Sequence, residues 1–351
     1  MKDTSARAIR FLRTRLFATP LDAIITLACS YLILRMAVPL IRWPLVDATF
    51  SGTTRADCMS TGACWVFIRA RFNQFMLGFY PAPEQWRVGL VAALFMICIG
   101  LLAWKKLPHR RWFALSTILL LPIVVVMLYG GMSLPIVETR DWGGLMLTIF
   151  ISVYAGAIAV PLGIILALGR QSRLPIIRTI SVVFIEFWRG VPIIAVIFLA
   201  SLLLPLIVPS GIGVDRLARA IIGLGLVIAA YMAEAVRGGL QAIPAGQYEA
   251  SIALGLGYWR TTAFVILPQA LRIALPAMTN EFIALIKNTS LVLIVSIFDL
   301  LGIAQAALAD PSWVGMNLEA YVFAGTIYWM ICFSLSRASL ALERKQKAKA
   351  H

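Results

Sequence analysis

Long apolar runs decide what this chain can fold into. Crossing the hydrocarbon core of a bilayer takes about 20 mainly apolar residues as helix. Eight stretches come close to or exceed that length: 21–41, 88–104, 112–129, 143–168, 179–208, 217–236, 282–305 and 320–342. Within lipid, each peptide group must find its hydrogen-bond partner inside its own segment, so such runs are helices. Of 351 residues, 61% are hydrophobic and 13% charged. Soluble domains hold about 45–50% and about 25% respectively, so a water-soluble fold is excluded. The expectation is an all-α, polytopic membrane protein with about eight transmembrane helices.

The formal charge of +15, from 31 basic and 16 acidic residues, would suit nucleic acid on its own. No basic stripe with interleaved aromatics lies on a polar element, however, and nucleic acid is not an expected partner. Basic residues instead crowd the ends of apolar runs, as the positive-inside bias requires. With the N-terminus in the cytoplasm, the inner side holds Arg7, Arg10, Arg13 and Arg15, then Lys105, Lys106, Arg110 and Arg111. Arg170, Arg173, Arg178 and the basic tail 341–351 follow. The 42–87 loop dissents with Arg55, Arg69 and Arg71, but long loops largely escape the rule. Trp43, Trp86, Trp104, Trp112 and Trp142 sit at run ends, as an interfacial aromatic belt predicts. The first run has the flanks of a signal peptide, yet its length and Arg35 favour an uncleaved anchor. Both termini are therefore expected in the cytoplasm.

Near Trp142 the character of the chain changes. Residues 1–141 hold three apolar runs and the 42–87 outer loop, with few polar groups inside the runs. Beyond 142, Gly, Pro, Glu and Arg enter the runs themselves. Glu186 and Arg189, followed by Gly190 and Pro192, echo Glu234 and Arg237; residues three apart share a helix face and can pair. The plain reading of both pairs is a structural salt bridge between helices; the sharper one is a gate for a charged solute. Asn280, Glu281, Lys287, Asn288, Thr289 and Ser290 form a further polar set, placed here at the start of the seventh helix. Asn288 to Ser290 can hydrogen-bond across helices, and Lys287 can snorkel to the inner surface. Cys58 and Cys64 flank a polar segment of the outer loop, where a periplasmic location permits a disulfide; spacing leaves the pairing open.

The most informative stretch is "EAVRGGLQAIPAGQYEASIALGLGYWRTTAFVILPQ", 234–269, long for an inter-helix connection. Pro244 suits a first helical turn, and Gly255 a left-handed helix end. Tyr248, Ile252 and Leu256 recur every four residues as an apolar stripe. A second short helix is expected from Tyr258, ending near Pro268. Basic residues are absent from the polar face, so a protein partner fits better than lipid headgroups.

Here the chain resembles a known family. "EASIALGLGYWRTTAFVILP" is similar to the EAA loop of ABC-importer permeases, which reads EAA, three residues, Gly, nine residues, then I-x-L-P. Glu249, Ala250 and Ser251 fill EAA, Gly255 follows at the required spacing, and Val265 to Pro268 close the pattern; Ser251 and Val265 are small departures. "FIEFWRGVPIIA", "AAYMAEAVRGGLQAIPAGQYEA" and "NEFIALIKNTSLVLIVSIFDLLG" resemble the polar-amino-acid branch, which includes histidine and glutamine permeases. The three added N-terminal helices and "CWVFIRARFNQFMLGFYP" resemble the larger permease subunit of general L-amino-acid importers.

The resemblance implies a type I ABC-importer permease core of five helices at 142–340, with 237–269 as the ATPase-coupling loop. Gly246, Gln247, Glu249, Ala250, Ser251, Leu254, Gly255, Leu267 and Pro268 would carry the docking. It also implies a bacterial inner-membrane location. The implied partners are an ATP-binding ABC subunit dimer, a second and related permease chain, a periplasmic amino-acid-binding protein and an L-amino acid. ATP would bind a partner subunit, since no lysine here follows a glycine and no phosphate loop is possible in this chain. An ion-coupled secondary transporter is the competing class, though it has no use for a patterned docking loop. An intramembrane enzyme reads poorly: His109 and His351 are the only histidines, and neither a metal cluster nor a nucleophile–base pair is visible.

Overall fold

The computed structural model describes residues 12–58, 61–103, 110–207 and 213–350. Arg7, Arg10, Trp104, Lys105, Lys106, His109 and His351, named above, lie outside them. Among the described residues the structure is helical, with β-pairing confined to isolated bridges. Two compact units emerge, 1–70 with Asp310–Ala320, and 71–309 with 321–351.

In the first unit, α1 (Pro20–Ile41) opens on a capping box. The Asp22 N–H donates to Thr19 Oγ1 at 3.2 Å, and the Thr19 N–H donates to Asp22 Oδ2 at 3.1 Å. None of its residues is buried, so the helix presents apolar surface all round. The following loop folds on itself. The Thr49 N–H donates to the Ala63 carbonyl at 2.8 Å, and the Trp65 indole N–H to the Pro44 carbonyl at 2.8 Å. Cys58 and Cys64 are joined as a disulfide with Cα atoms 5.5 Å apart. The Cys64 N–H donates to the Glu319 carboxylate at 3.0 Å, across 255 residues of chain. Backbone N–H groups of Thr53 and Thr54, each at 2.9 Å, hold the Asp57 carboxyl below its ordinary range. The loop also contains the start of a helix, α2 (Trp65–Leu77).

The second unit contains α3 (Gln85–Ala103), α4 (Arg110–Tyr129), α5 (Gly144–Arg170) and α8 (Arg216–Gln241). Its core lies between α5 and α8, where Ile151, Ala155, Leu224 and Ala229 are fully buried. Small residues let the two backbones approach, which is how helices associate without a hydrophobic driving force from water. A Cβ on Gly163 would come within 2.6 Å of the Met232 Cβ.

Two expected helices are redrawn. The run 179–208 is not one helix: α6 (Pro175–Gly190) ends at Val191, and α7 (Ile193–Ile207) leaves at 107°. Val191, before Pro192, is extended, as its neighbour's ring demands. The run 282–305 is also not one helix. After α9 (Ala245–Ala253), a turn at Tyr258–Arg260 and a π-helical segment Thr261–Ile266 feed directly into α10 (Leu267–Asn288). Pro268 lies in the first turn of α10, where its missing N–H costs nothing, so it opens that helix instead of ending the one before. A tight segment, Thr289–Val295, then leads to Ser296 in the left-handed region (φ 57°) and to α11 (Leu300–Leu308). The chain closes with α12 (Asn317–Ala350). Among the described residues six helices are long and apolar enough to cross a membrane, and the bent α6–α7 pair makes a seventh. The expected runs 179–208 and 282–305 are thus redrawn, while α4 (Arg110–Tyr129) covers the expected run 112–129; the exact division into eight is not confirmed.

Candidate functional site

The 242–269 loop is ordered from within. Pro244 stands at the N-cap of α9, one place before the first turn expected for it. Gly255 has φ +71°, a conformation that costs an L side chain about 1–2 kcal/mol. With it the Gly255 N–H donates to the Ile252 carbonyl at 2.9 Å and the Leu256 N–H to Ser251 at 3.1 Å, closing the helix end. Ser251 is buried, and its hydroxyl donates to the Gln247 carbonyl at 2.7 Å, which satisfies it within its own helix. The Gln269 amide donates to Gln247 at 3.0 Å and ties α10 back to α9. Gly246, Glu249, Ala250 and Pro268 are exposed, and Leu267 is half-buried. Burial pushes the Tyr248 hydroxyl up from its ordinary pKa.

The expected apolar stripe is present but shifted. Leu256 is half-buried, while Ile252, Leu254, Tyr258, Trp259 and Phe264 stand exposed; Leu254, Trp259 and Phe264 are each 78% accessible. Tyr258 and Trp259 are in ring contact, with centroids 5.4 Å apart, and with Phe264 they open the candidate span Tyr258–Val295, whereas Ile252 and Leu254 lie on the connection before it. Exposed apolar side chains on such a connection suit an interaction site.

The charged residues assemble differently from their sequence spacing. Arg237 pairs with Glu234 as expected, Nη2 to Oε2 at 2.7 Å. Glu186 does not pair with Arg189. Its partner is Arg170, the last residue of α5, at 2.9 Å. Arg170 also reaches Glu234 at 2.9 Å, and Arg189 approaches Glu234 at 4.0 Å while lying over the Tyr231 ring. Three helices are thus joined by three guanidinium groups and two carboxylates. Glu281 of α10, half-buried, adds a carboxylate within electrostatic range of Arg189. Gly190 and Pro192 form the 107° corner just beyond Arg189. Arg170 escaped the sequence reading because a basic residue ending an apolar run is absorbed by the positive-inside count.

Since α10 starts at Leu267, the polar set 280–290 lies in its second half and just past its end, not at its start. Lys287, exposed, is about 30 Å along the helix from Leu267, at about 1.5 Å per residue, and so far from the 242–269 loop. Asn280 is exposed and Asn288 half-buried. The Ser290 hydroxyl bonds back to the Lys287 carbonyl at 2.9 Å, within its own turn and not across helices. Thr289 does cross helices. It lies 3.4 Å from both Asp299 and Tyr328, and the Tyr328 hydroxyl donates to Asp299 at 2.5 Å. Asp299, fully buried, caps α11 through the Gly302 N–H at 2.9 Å. An aspartate just before an apolar run is a helix-start signal that the sequence did carry.

Together, bent spans, a small-residue seam and a self-ordered loop between spans describe a polytopic helical membrane domain. Residues 159–348 match the family model described as "binding-protein-dependent transport system inner membrane component". Over 343 residues the chain is 49% identical to the inner membrane amino-acid ABC transporter permease protein YhdY of Escherichia coli, covering 97% of this chain and 94% of that one. It is 35% identical over 411 aligned residues to the glutamate/glutamine/aspartate/asparagine transport system permease protein BztC of Rhodobacter capsulatus, with the same coverage. A crystal structure of an amino acid ABC transporter with histidines superposes with a TM-score of 0.51 at 28% identity, over 57% of this chain and 92% of that one. The chain belongs to the binding-protein-dependent inner-membrane transport components, among their amino-acid ABC transporter permeases. That membership sets aside the ion-coupled alternative and makes this an inner-membrane, multi-pass permease subunit.

Proposed function

We propose that this permease imports polar L-amino acids by docking its 237–269 loop on a dimer of ATP-binding subunits. The observation that carries the reading is the exposed apolar surface of Ile252, Leu254, Tyr258, Trp259 and Phe264, held by the Gly255 turn. Glu249 and Gly246 on the same short helix would complete the contact. In this arrangement both termini and the loop face the cytoplasm, and the 42–87 loop with its Cys58–Cys64 bridge faces the periplasm. Residues 1–141 act as accessory helices, 142–340 as the permease domain and 341–351 as a basic tail. A second, different permease chain would complete the pathway, and a periplasmic amino-acid-binding protein would deliver solute. The names of YhdY and BztC support the amino-acid class. The Arg170, Glu186, Arg189, Glu234 and Arg237 network, next to the Gly190–Pro192 corner, would serve as the gate on the loop side.

The experiment is site-directed cross-linking in the assembled transporter. A cysteine in place of Ile252 should cross-link to the ATP-binding subunit, and uptake should stop on ATP depletion yet persist with a protonophore while ATP is maintained. Absence of the cross-link in a complex that still transports would remove the docking assignment.

A further inference from the structure

Helix α7 contains Pro205, which has no N–H. The carbonyl four residues earlier, on Ser201, therefore lacks its helical donor. Arg219, one turn into α8, supplies the missing bond through Nη1. The kink accounts for one arm of this guanidinium and leaves the rest unexplained. Arg219 Nε and the Ser201 hydroxyl are both shielded from solvent without a hydrogen-bond partner. Among the described residues neither Arg216 nor Arg219 forms an ion pair.

A cleft of about 320 Å³ opens onto Arg216, Arg219, Ser201 and Ser296. A second, of about 360 Å³, shares Arg216 and Ser296 and continues to Glu138 and Asp215. Thr139 donates to Asp215 at 2.6 Å and fixes that carboxylate in place. Ser296, common to both clefts, holds a left-handed backbone (φ 57°) that a side chain adopts at a cost. The inner recess is thus lined by Arg216, Arg219, Ser201 and Ser296 together with apolar Phe198, Leu202, Ile294 and Val295, and has no carboxylate. In the adjoining mouth Glu138 is paired with Arg140 at 2.9 Å, and Asp215 caps α8 through the Leu217 and Ala218 N–H groups. All of this lies at the Arg216 end of α8, about 39 Å of helix from the 242–269 loop.

We propose that the Arg216–Arg219 recess binds the α-carboxylate of an amino-acid solute, with its ammonium group turned toward Asp215. Arg219 Nε is a shielded donor without an acceptor, and Arg216 beside it is an exposed cation without an ion pair among the described residues. An anionic oxygen suits both, since guanidinium–carboxylate bonds are among the strongest charge-assisted hydrogen bonds. The clefts fall in the size range of small-molecule sites, about 300–1,000 Å³. The proposal rests on the amino-acid importer reading. A lipid phosphate offers the same anionic oxygens, so the test must separate the two.

The assembled transporter, in nanodiscs without binding protein, is equilibrated with a subsaturating ¹⁴C-labelled mixture of the common L-amino acids. Wild type should retain label that the unlabelled mixture displaces and the corresponding amino-acid amides do not. Arg216→Gln should lower retention about tenfold, the effect of losing one charge-assisted bond. Arg219→Gln should do the same when combined with Pro205→Ala, which returns a helical donor to Ser201 and protects the fold. Retention should be equal in phosphatidylcholine and phosphatidylglycerol discs. Unchanged retention in both variants, or equal displacement by amides, overturns the proposal. So does a loss confined to co-purified phosphatidylglycerol, which would assign the recess to lipid. ATP-driven uptake by wild type with its binding protein, measured in parallel, tests the importer reading separately.

Discussion

Arg170 donates a 2.9 Å hydrogen bond to Glu186, sixteen residues further along the chain, while Arg189, on the same helix as Glu186, turns to the Tyr231 ring and Glu234. The end of α5 is thereby fastened to both α6 and α8 next to the 107° corner. Arg170 is the hub of that network, being the group that bonds two carboxylates from different helices.

Arg170→Gln is expected to lower the thermal stability of the assembled transporter more than Arg189→Gln. The charge-assisted bonds lost are worth about 1.5–3 kcal/mol in protected sites, and partial exposure of Glu186 brings the expected loss down to about 1 kcal/mol. Glu186→Gln keeps an acceptor oxygen and should cost less stability while still impairing uptake if the network gates the pathway. Fluorescence-monitored melting with parallel uptake checks both, and a greater loss from Arg189→Gln would displace Arg170 as the hub. Exchanging Glu186 with Arg189 is uninformative, since it would set one arginine against Arg170.

Gly255→Ala should be tolerated at about 1 kcal/mol, because its φ of +71° is strained for alanine although nothing crowds the position. Gly255→Pro fixes φ near −65° and removes the N–H bonded to Ile252, so the helix end cannot form. The proline variant, like Glu249→Lys, should insert normally yet hydrolyse ATP without transport. Coupled transport by the proline variant would count against the loop's role.

If the 42–87 loop faces the periplasm as proposed, Cys58 and Cys64 should resist maleimide in intact cells until a reductant is added. Replacing both by serine should destabilise the loop by about 2 kcal/mol, the value for a short closed loop. Immediate labelling without reductant would show the bond absent under those conditions.

Arg219→Leu should destabilise the α7–α8 contact by about 1–3 kcal/mol, because the Ser201 carbonyl is left unpaired at the Pro205 kink. Adding Pro205→Ala should recover most of that loss, since alanine restores the missing N–H. A melting series over the two single variants and the double variant measures the coupling directly. Simple additivity would mean that Arg219 does not serve the kink.

How much was legible depended on range. The membrane class, most of the helices, the capped turn at Gly255 and the EAA-like pattern of 249–268 rest on run length, proline and glycine positions and short spacings. All of these act within a few residues, and the sequence alone determined them. The limits of α10 were misplaced because Pro268 reads equally well as a stop or as a first-turn residue. Only the π-helical run from Thr261 into Leu267 decides between the two.

What the tertiary structure decided were the pairings across helices. Glu186 had a basic residue three positions on and took one from another helix; Arg219, eighteen residues beyond Ser201, serves the carbonyl freed by Pro205. Thr289, Asp299 and Tyr328 meet although 10 and 29 residues separate successive partners. A charged or polar side chain inside a membrane must find some partner, and that requirement is written in the sequence. Which partner it finds depends on how closely small residues such as Gly163 let the helices approach, on where the chain bends, and on which faces are brought together.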